Sequence, residues 1–553
     1  MALQDEMGEP DERKGKLTAT LVLVTLVSTI GSSFQYGYNV ASVNSPTPFM
    51  QTFYNETYVN RYNTYLSESL LSVLWSLTVS LYPLGGFFGS LMVGPLVNKI
   101  GRKGTLLLNN IFSIVPAILM GVSVVAKTFE IIIVSRFIIG ICAGLSSTVV
   151  PMYLGEMSPK NLRGALGVMP QLLITIGILM AQIFGFRFIL GNAEGWPILL
   201  ALTGIPAVME LVCLPFFPES PRYTLLHKAE EDKARRALQR LRGWEDVDGE
   251  IKEMYLEDQS EKAEGRLSIK NLCTFRPIRW QLITIVVLNM GQQLSGINAV
   301  YYYADSIYAT AGVSEDAIQY VTVGTGSVNV LMTVAAIFIV DSWGRRALLL
   351  VGFGTCCVSC VVLTIALIYQ STVSWMPYLS IVCVIVYVIG HASGPSPIPY
   401  VITTEIFRQS SRPAAFMVAG SVQWLCNFVV GLIFVFLMNG LGSYSFIIFA
   451  AICLATFIFI YIFVPETKGK SFLEISQIMA KKNGLDERTE SKELQDLDPL
   501  SYEVPSEKKD KFHDEIPLEC KDNSMEELPW EKKDNFSSEV PLEKKGQSIV
   551  TAF

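Results

Sequence analysis

The sequence predicts an all-α membrane protein of twelve transmembrane helices arranged as two similar six-helix halves. Three observations carry the prediction. Half of the 553 residues are hydrophobic and only 17% are charged, giving a mean hydropathy of +0.39. Apolar runs near the ~20 residues needed to cross a bilayer follow one another along the chain. Short charged motifs of the first half return in the same order in the second.

The twelve runs are Leu17–Asn39, Leu70–Val97, Thr105–Val125, Glu130–Pro151, Leu162–Phe186, Trp196–Phe217, Trp280–Ser306, Ala317–Val340, Ala347–Tyr369, Met376–Thr403, Ala414–Met438 and Tyr444–Val464. An even number puts both termini on one side. The short loops Asn98–Lys103, Pro159–Arg163 and Asp341–Arg346 are basic, as is Arg222–Arg242. Basic short loops stay cytoplasmic, so both termini are expected inside a multi-pass protein of the plasma membrane. The sequon Asn55-Glu56-Thr57 then falls in the first outside loop, making Asn55 a candidate glycan acceptor. Met1–Lys16 is charged and mostly acidic, with no secretory cleavage pattern. The net charge of −7 sits largely in the polar ends; no nucleic-acid partner is expected, and the bilayer is the main one. Ten cysteines are scattered without a disulfide framework or metal spacing. Cys356, Cys357 and Cys360 have CxxC-like spacing but lie mid-span, where they read as small packing residues. No cofactor is expected.

The chain divides into a cytoplasmic start (1–16), a first six-helix bundle (17–217), a charged linker with short helices (218–279), a second bundle (280–464) and a tail (465–553). In the tail, Pro505, Pro517, Pro529 and Pro541 recur every twelve residues, each followed two positions on by a glutamate. Such a charged, proline-punctuated repeat is expected to be largely disordered. Its end, Thr551-Ala552-Phe553, suits a tail-binding protein with a carboxylate pocket.

One span is unusually polar. Gly291–Tyr303 reads GQQLSGINAVYYY and follows Trp280–Leu288 without a turn signal. At about 100° per residue, Gln292, Gln293, Ser295 and Asn298 cover more than half of a helix circumference. Lipid cannot neighbour that side, because an unpartnered amide in hydrocarbon costs several kcal/mol. Either other helices hydrogen-bond to it or it borders a wet cavity. Gly291 and Gly296 would let the helix loosen and free backbone groups for a ligand. Neutral amides and hydroxyls suit a neutral polyhydroxyl solute.

The internal repeat locates a second group. Gly101-Arg102-Lys103 returns as Gly344-Arg345-Arg346, and Pro218-Glu219 returns as Pro465-Glu466. Glu156 precedes Arg163 by the same spacing as Glu405 precedes Arg412. These charges fall at cytoplasmic helix ends. Either they only orient the helices, or carboxylate–guanidinium pairs between the halves close the inner mouth and release it as the halves rock.

These motifs, with Pro218-Glu219-Ser220-Pro221-Arg222, Gln292-Gln293-Leu294-Ser295-Gly296 and Pro465-Glu466-Thr467-Lys468-Gly469, resemble those of the sugar porters of the major facilitator superfamily. The resemblance runs from about Leu17 to Phe472. Within the family the chain is most similar to the facilitative hexose transporters, and Ser32–Asn39, Phe112–Gly121 and Gly390–Pro399 look like their fructose branch. The resemblance implies a major facilitator fold with sugar-contacting residues between the halves: Tyr36, Gln171, Gln292, Gln293, Asn298, Asn329, His391, Trp424 and Asn427. Each is a polar or aromatic side chain in an apolar span. His391 is either a satisfied packing group or part of a lined cavity, and Trp424 a gate or filler.

The resemblance also bears on substrate and coupling. Glucose-selective relatives have Gln-Leu-Ser where this chain has Asn289-Met290-Gly291, a glutamate at Ala392 and a tryptophan at Tyr400. Val300, Tyr400 and Gln423 leave the fructose pattern as well, so fructose is expected first, with glucose or mixed hexoses as the alternative. Urate would need positive charge, and Arg136 and Arg187 are the obvious cations, near helix ends. Proton-driven relatives carry an aspartate where this chain has Asn39; an amide cannot titrate, which predicts passive uniport. Glu210 is either functional by its position or paired with a neighbour. No nucleophile–base pair, metal cluster or phosphate loop suggests an enzyme. A sugar-sensing receptor is the rival from another class. A carrier should bind weakly; a millimolar constant is about −4 kcal/mol.

Overall fold

The computed structural model describes residues 15–159, 161–263, 279–407, 412–468, 470, 474–475 and 478–479, with side chains for all of these except 163–165, 257, 260–263, 337, 340–342, 412 and 413. The twelve-residue tail repeats lie outside the described residues.

Every predicted run is matched by helix. The first span, Ala19–Ala41, passes through a π-turn at Thr29–Phe34. Glu68–Asn109 carries the second span and the start of the third, which continues as Ile111–Val122. The fourth to sixth are Glu130–Met157, Arg163–Phe184 and Trp196–Cys213, the last in two pieces. The seventh is Arg279–Leu294 plus Ile297–Thr310, and the eighth is Glu315–Trp343. The ninth is Arg345–Tyr369, the tenth Met376–Ser393 plus Ile398–Ile406, the eleventh Arg412–Leu441 and the twelfth Ser445–Phe463. Apolar side chains such as Ile118, Ile205, Phe338 and Val358 remain exposed on the outside of the bundle, where hydrocarbon and not water is the solvent.

Close packing follows from small residues. A Cβ added at Gly85 would lie 2.1 Å from the Phe137 carbonyl oxygen, and one at Gly140 would lie 2.0 Å from that of Tyr82. The second and fourth spans therefore touch backbone to backbone, as small residues allow in membranes. Between the halves, the second span packs on the eleventh and the fifth on the eighth.

The two sides of the bundle are named here by content. The motif side carries the Gly101 and Gly344 loops; the far side is opposite. Three short helices, Pro221–Leu226, Glu231–Arg242 and Asp248–Ala263, sit on the motif side. Glu231–Arg242 buries Ala234, Leu238 and Leu241 on one face and ends at Gly243 in the left-handed region (φ +77°), the usual helix stop. Arg242 donates to the Met157 carbonyl at 2.8 Å, and Thr18 donates to the Leu241 carbonyl at 2.8 Å. These bonds tie the linker to the fourth and first spans.

Candidate substrate site between the halves

The seventh span breaks inside the polar stretch. Gly296 is left-handed (φ +97°), and an added Cβ there would lie 2.9 Å from the Phe449 ring. Only glycine suits both demands. Gly291, expected to loosen the helix, stays helical; its role is packing, since an added Cβ would lie 2.5 Å from Thr456 Cγ2. The break strands the Gln292 carbonyl. Ser295 Oγ donates to it at 2.7 Å, and His391 Nε2 lies 3.2 Å away. A carbonyl only accepts, so Nε2 carries the proton. Gln292 Nε2 in turn donates to the Ser396 carbonyl at 3.1 Å, within the break of the tenth span. His391 is thus a tie between two interrupted helices, and its Nε2 is engaged by protein.

The remaining amides have unused capacity. Asn298 Nδ2 donates to Gln293 Oε1 across the break. Gln292 Oε1 is enclosed without a partner. Asn427 accepts from the Tyr302 hydroxyl at 3.1 Å, and Gln423 from that of Tyr400 at 2.5 Å. Gln171 and Asn329 stand on the mutually packed fifth and eighth spans, and their amides make no hydrogen bond to another described residue. Trp424 reaches from the eleventh span into the first half: its ring is 5.1 Å from that of Tyr36 and 6.2 Å from that of Tyr82. An added Cβ at Gly86 would lie 2.4 Å from the indole. The Tyr82 hydroxyl donates to the Tyr36 carbonyl at 3.0 Å. The structure so brings Gln292, Gln293, Asn298 and His391 together at the two breaks, and Tyr36 to Trp424 across the halves. An aromatic face beside neutral donors and acceptors can hold hydroxyls without charge.

The repeated charges form two matching devices. Gly101 (φ +85°) and Gly344 (φ +90°) turn the chain in the same way. Glu219 accepts from the N–H groups of Arg102 (3.1 Å) and Lys103 (2.9 Å), and Glu466 from those of Arg345 (2.9 Å) and Arg346 (3.1 Å). Each carboxylate caps a helix start, where unpaired N–H groups and the dipole favour negative charge. Arg102 pairs with Glu156 at 2.9 Å and Arg345 with Glu405 at 3.0 Å. These two pairs close within one half each, because each arginine starts the helix that its own half's glutamate faces. The side chains of Arg163 and Arg412 lie outside the described residues.

Three further positions differ from expectation or escaped it. Glu210 is paired: Ser32 Oγ donates to it at 2.8 Å, in full burial. Arg136 is not at a helix end but fully buried, donating to the carbonyls of Asn39 (2.9 Å) and Thr78 (3.3 Å) with its guanidinium 4.5 Å over the Tyr82 ring. Asp305 joins Asn44 across the halves; an acid in the YYYADS run was the available signal. Asn55 lies on the helix Thr47–Tyr62, and its Oδ1 accepts from the Leu66 N–H at 3.0 Å.

Comparison with known proteins agrees with this architecture. Residues 24–479 match the family described as sugar (and other) transporter. The chain is 63% identical to the rat (Rattus norvegicus) solute carrier family 2, facilitated glucose transporter member 5, over 498 residues, covering 90% of this chain and 99% of the relative. It is 62% identical to the human (Homo sapiens) protein of the same description, over 90% of this chain and 100% of the relative. A solved structure of the major facilitator proton:xylose symporter XylE, bound to 6-bromo-6-deoxy-D-glucose, is 26% identical with a TM-score of 0.69, covering 84% of this chain and 100% of that one. The inward open xylose transporter XylE from E. coli gives 25% identity and a TM-score of 0.69, over 83% of this chain and 99% of that one. With its broken seventh and tenth spans and duplicated motif-side devices, the chain belongs to the sugar transporter family and has the major facilitator fold.

Proposed function

We propose that this chain is a facilitative hexose uniporter working by alternating access, with fructose preferred. The observation that carries the reading is the set of neutral amides with unused hydrogen-bonding capacity at and around the seventh-span break, beside the Tyr36–Trp424 contact between halves. Sugar would bind there through Gln171, Gln292, Gln293, Asn298, Asn329 and Asn427. His391, whose Nε2 is engaged, would act by holding the breaks. Passive transport is supported by Asn39, whose amide donates to Thr203 Oγ1 at 2.7 Å and holds no exchangeable charge.

The preference for fructose rests on fewer residues than the motif comparison suggested. Met290 is exposed on the outside, and Gly291 backs onto Thr456. Ala392, buried beside His391 at the tenth-span break, is the departure from the glucose pattern next to the site; Tyr400 with its partner Gln423 departs from both patterns. The motif side would be cytoplasmic in a plasma-membrane protein, with Asn55 glycosylated outside and the tail free for a partner.

The test is counterflow of labelled fructose and labelled glucose in liposomes holding the purified full chain. Fructose exchange exceeding glucose exchange is expected, unchanged by Glu210→Gln across pH. Binding without exchange would make the protein a sensor, and chemically altered sugar would make it an enzyme.

A further inference from the structure

The outside of the second half carries a groove of about 580 Å³ between the ninth, tenth and twelfth spans. That volume is in the range of pockets that hold small molecules. The ninth span contributes Leu350, Gly354, Thr355 and Ser359, the tenth Val386 and the twelfth Phe457. Val358, which also lines it, is 63% exposed, so the groove opens on hydrocarbon. Gly354 keeps it deep: a Cβ there would lie 3.5 Å from the Phe457 ring, in ordinary contact.

Two features bear on what the groove would take. The first is a pair of free hydroxyls. Thr355 and Ser359 stand one turn apart near the middle of the ninth span. Hydroxyls in these spans commonly donate to the carbonyl one turn back, as Thr364 does to Cys360 and Thr456 to Ile452, both at 2.9 Å. The hydroxyls of Thr355 and Ser359 make no hydrogen bond to another described residue, and Ser359 is 5% exposed. Ser359 also borders a second, smaller void beside Gly296 and Tyr387. A hydroxyl without a partner in an apolar place costs free energy, so a polar atom brought there would be held.

The second feature is a cation at one end. Arg346 lies one turn before Leu350, and Tyr461 one turn after Phe457, so the two stand at the motif-side end of the groove. Arg346 Nη2 donates to the Tyr461 carbonyl at 2.7 Å, with the guanidinium 5.6 Å from the Tyr461 ring centroid. Its Nε is enclosed without a partner. Glu466 meets only the Arg346 backbone N–H, and no described carboxylate forms an ion pair with the guanidinium. At 1.5 Å per residue, Arg346 is about 14 Å along the helix from Thr355 and about 20 Å from Ser359.

The geometry points to a binding site for a single-chain fatty acid that carries a hydroxyl near the end of its chain. Its carboxylate would meet Arg346, its chain would fill the groove past Gly354, and its hydroxyl would reach Thr355 and Ser359. A bond between ionised groups is stronger than one between neutral groups, so Arg346 supplies the larger share of affinity. A phospholipid or a sterol keeps its polar atoms at the membrane surface and leaves both mid-span hydroxyls unmet. Val386 adjoins Tyr387, whose hydroxyl donates to the Ser295 carbonyl at 2.8 Å, so the occupant would lie against the span that ties the seventh-span break.

The test uses the purified full chain in liposomes and a hexadecanoate with a mid-chain diazirine. Illumination should place adducts on residues 350–359, Val386 or Phe457, read by peptide mapping. Gly354→Leu fills the groove with a better helix former and should remove most of the labelling while leaving the melting temperature unchanged. The methyl ester of the probe should label about tenfold less than the acid, the effect of losing one charged bond. Arg346→Lys should keep that difference and Arg346→Gln should erase it. Added ω-hydroxyhexadecanoate should displace the probe at a lower concentration than hexadecanoate does, and the advantage should vanish in the double variant Thr355→Val with Ser359→Ala. The site is overturned if acid and ester label alike, if Gly354→Leu leaves the adducts in place, if the two acids displace the probe equally, or if cholesterol displaces it more strongly than either. Labelling is read without transport, so its failure would leave the carrier reading standing.

Discussion

Glu219 accepts from the N–H groups of Arg102 and Lys103, and Glu466 from those of Arg345 and Arg346. Arg102 meets Glu156 as Arg345 meets Glu405. Lys103 reaches the carbonyls of Pro215 and Phe217, and Arg346 reaches that of Tyr461. At the motif side the two halves answer each other partner for partner. Mid-membrane they do not. In the first half, Gln35 accepts from Ser113 at 2.5 Å and donates to Gly31, Asn39 donates to Thr203, and Ser32 donates to Glu210. In the second, the seventh span breaks and Gln292 keeps an unpartnered oxygen. The partner-for-partner match holds where it anchors helices and is lost mid-membrane, where Asn39 Oδ1 and Gln182 Oε1 in the first half and Gln292 Oε1 in the second are each enclosed without a partner.

The largest expected effect tests the retained part. Glu219→Ala and Glu466→Ala each remove a carboxylate that accepts four backbone N–H groups, at least two of them at a helix start, in a partly buried place. Bonds to charged groups contribute about 1.5–3 kcal/mol each, so losing two at the helix start should cost about 3–6 kcal/mol, read as a lower melting temperature in detergent. Equal losses are expected from the two. A harmless Glu466→Ala beside a damaging Glu219→Ala would break the equivalence.

The next effect separates the diverged parts. Gln35→Ala should destabilise by about 1–3 kcal/mol, because the Ser113 hydroxyl loses its buried acceptor, while KM stays unchanged. Gln293→Ala should do the reverse, raising KM about tenfold, or about 1.4 kcal/mol, with little change in melting. Identical profiles for the two glutamines would show that the second half's amides are packing groups too.

Sequence alone was strong on the fold and weaker on what polar residues do. Twelve spans follow from hydropathy because lipid forces backbone bonds inside each helix. The break at Gly296 was foreseeable because Gly-Ile-Asn interrupts a polar run, whereas Gly291 showed the same letter for a packing reason that depends on Thr456. His391 read as a sugar contact through the resemblance, with a satisfied packing group as the alternative; its tie to the Gln292 carbonyl depends on where the tenth span passes and could not be read from spacing. For the motif charges, spacing left open whether they pair between halves or only orient helices, and it could not say that Arg102 meets Glu156 and Arg345 meets Glu405 within one half. Asp305 was overlooked near the end of a span, where an acid draws little notice.

A smaller effect sharpens the contrast between the interrupted and continuous spans. Gly296→Ala puts a Cβ on a left-handed residue, which costs about 1–2 kcal/mol, and sets it 2.9 Å from the Phe449 ring. Adding Phe449→Ala should relieve the clash but not the backbone strain, so the double variant should melt below Phe449→Ala alone. Equal melting of those two would show that the break tolerates an ordinary residue.

The smallest expected effect asks how far the equivalence at the motif side extends. Ser220 donates to Glu156 and its oxygen also accepts from the Tyr223 N–H at 3.2 Å, capping the helix Pro221–Leu226. Thr467 donates to Glu405 at 2.5 Å. Losing a hydroxyl cap typically costs about 1 kcal/mol, and losing one bond to a charged group costs at least as much as a neutral one. Ser220→Ala removes both and Thr467→Ala the second only, so Ser220→Ala should lower the melting temperature further. Ser220→Thr keeps the oxygen and should recover most of the loss. If Ser220→Ala and Thr467→Ala melt together and Ser220→Thr melts with them, the hydroxyls are spectators. The shared geometry would then be held by Glu219 and Glu466 alone.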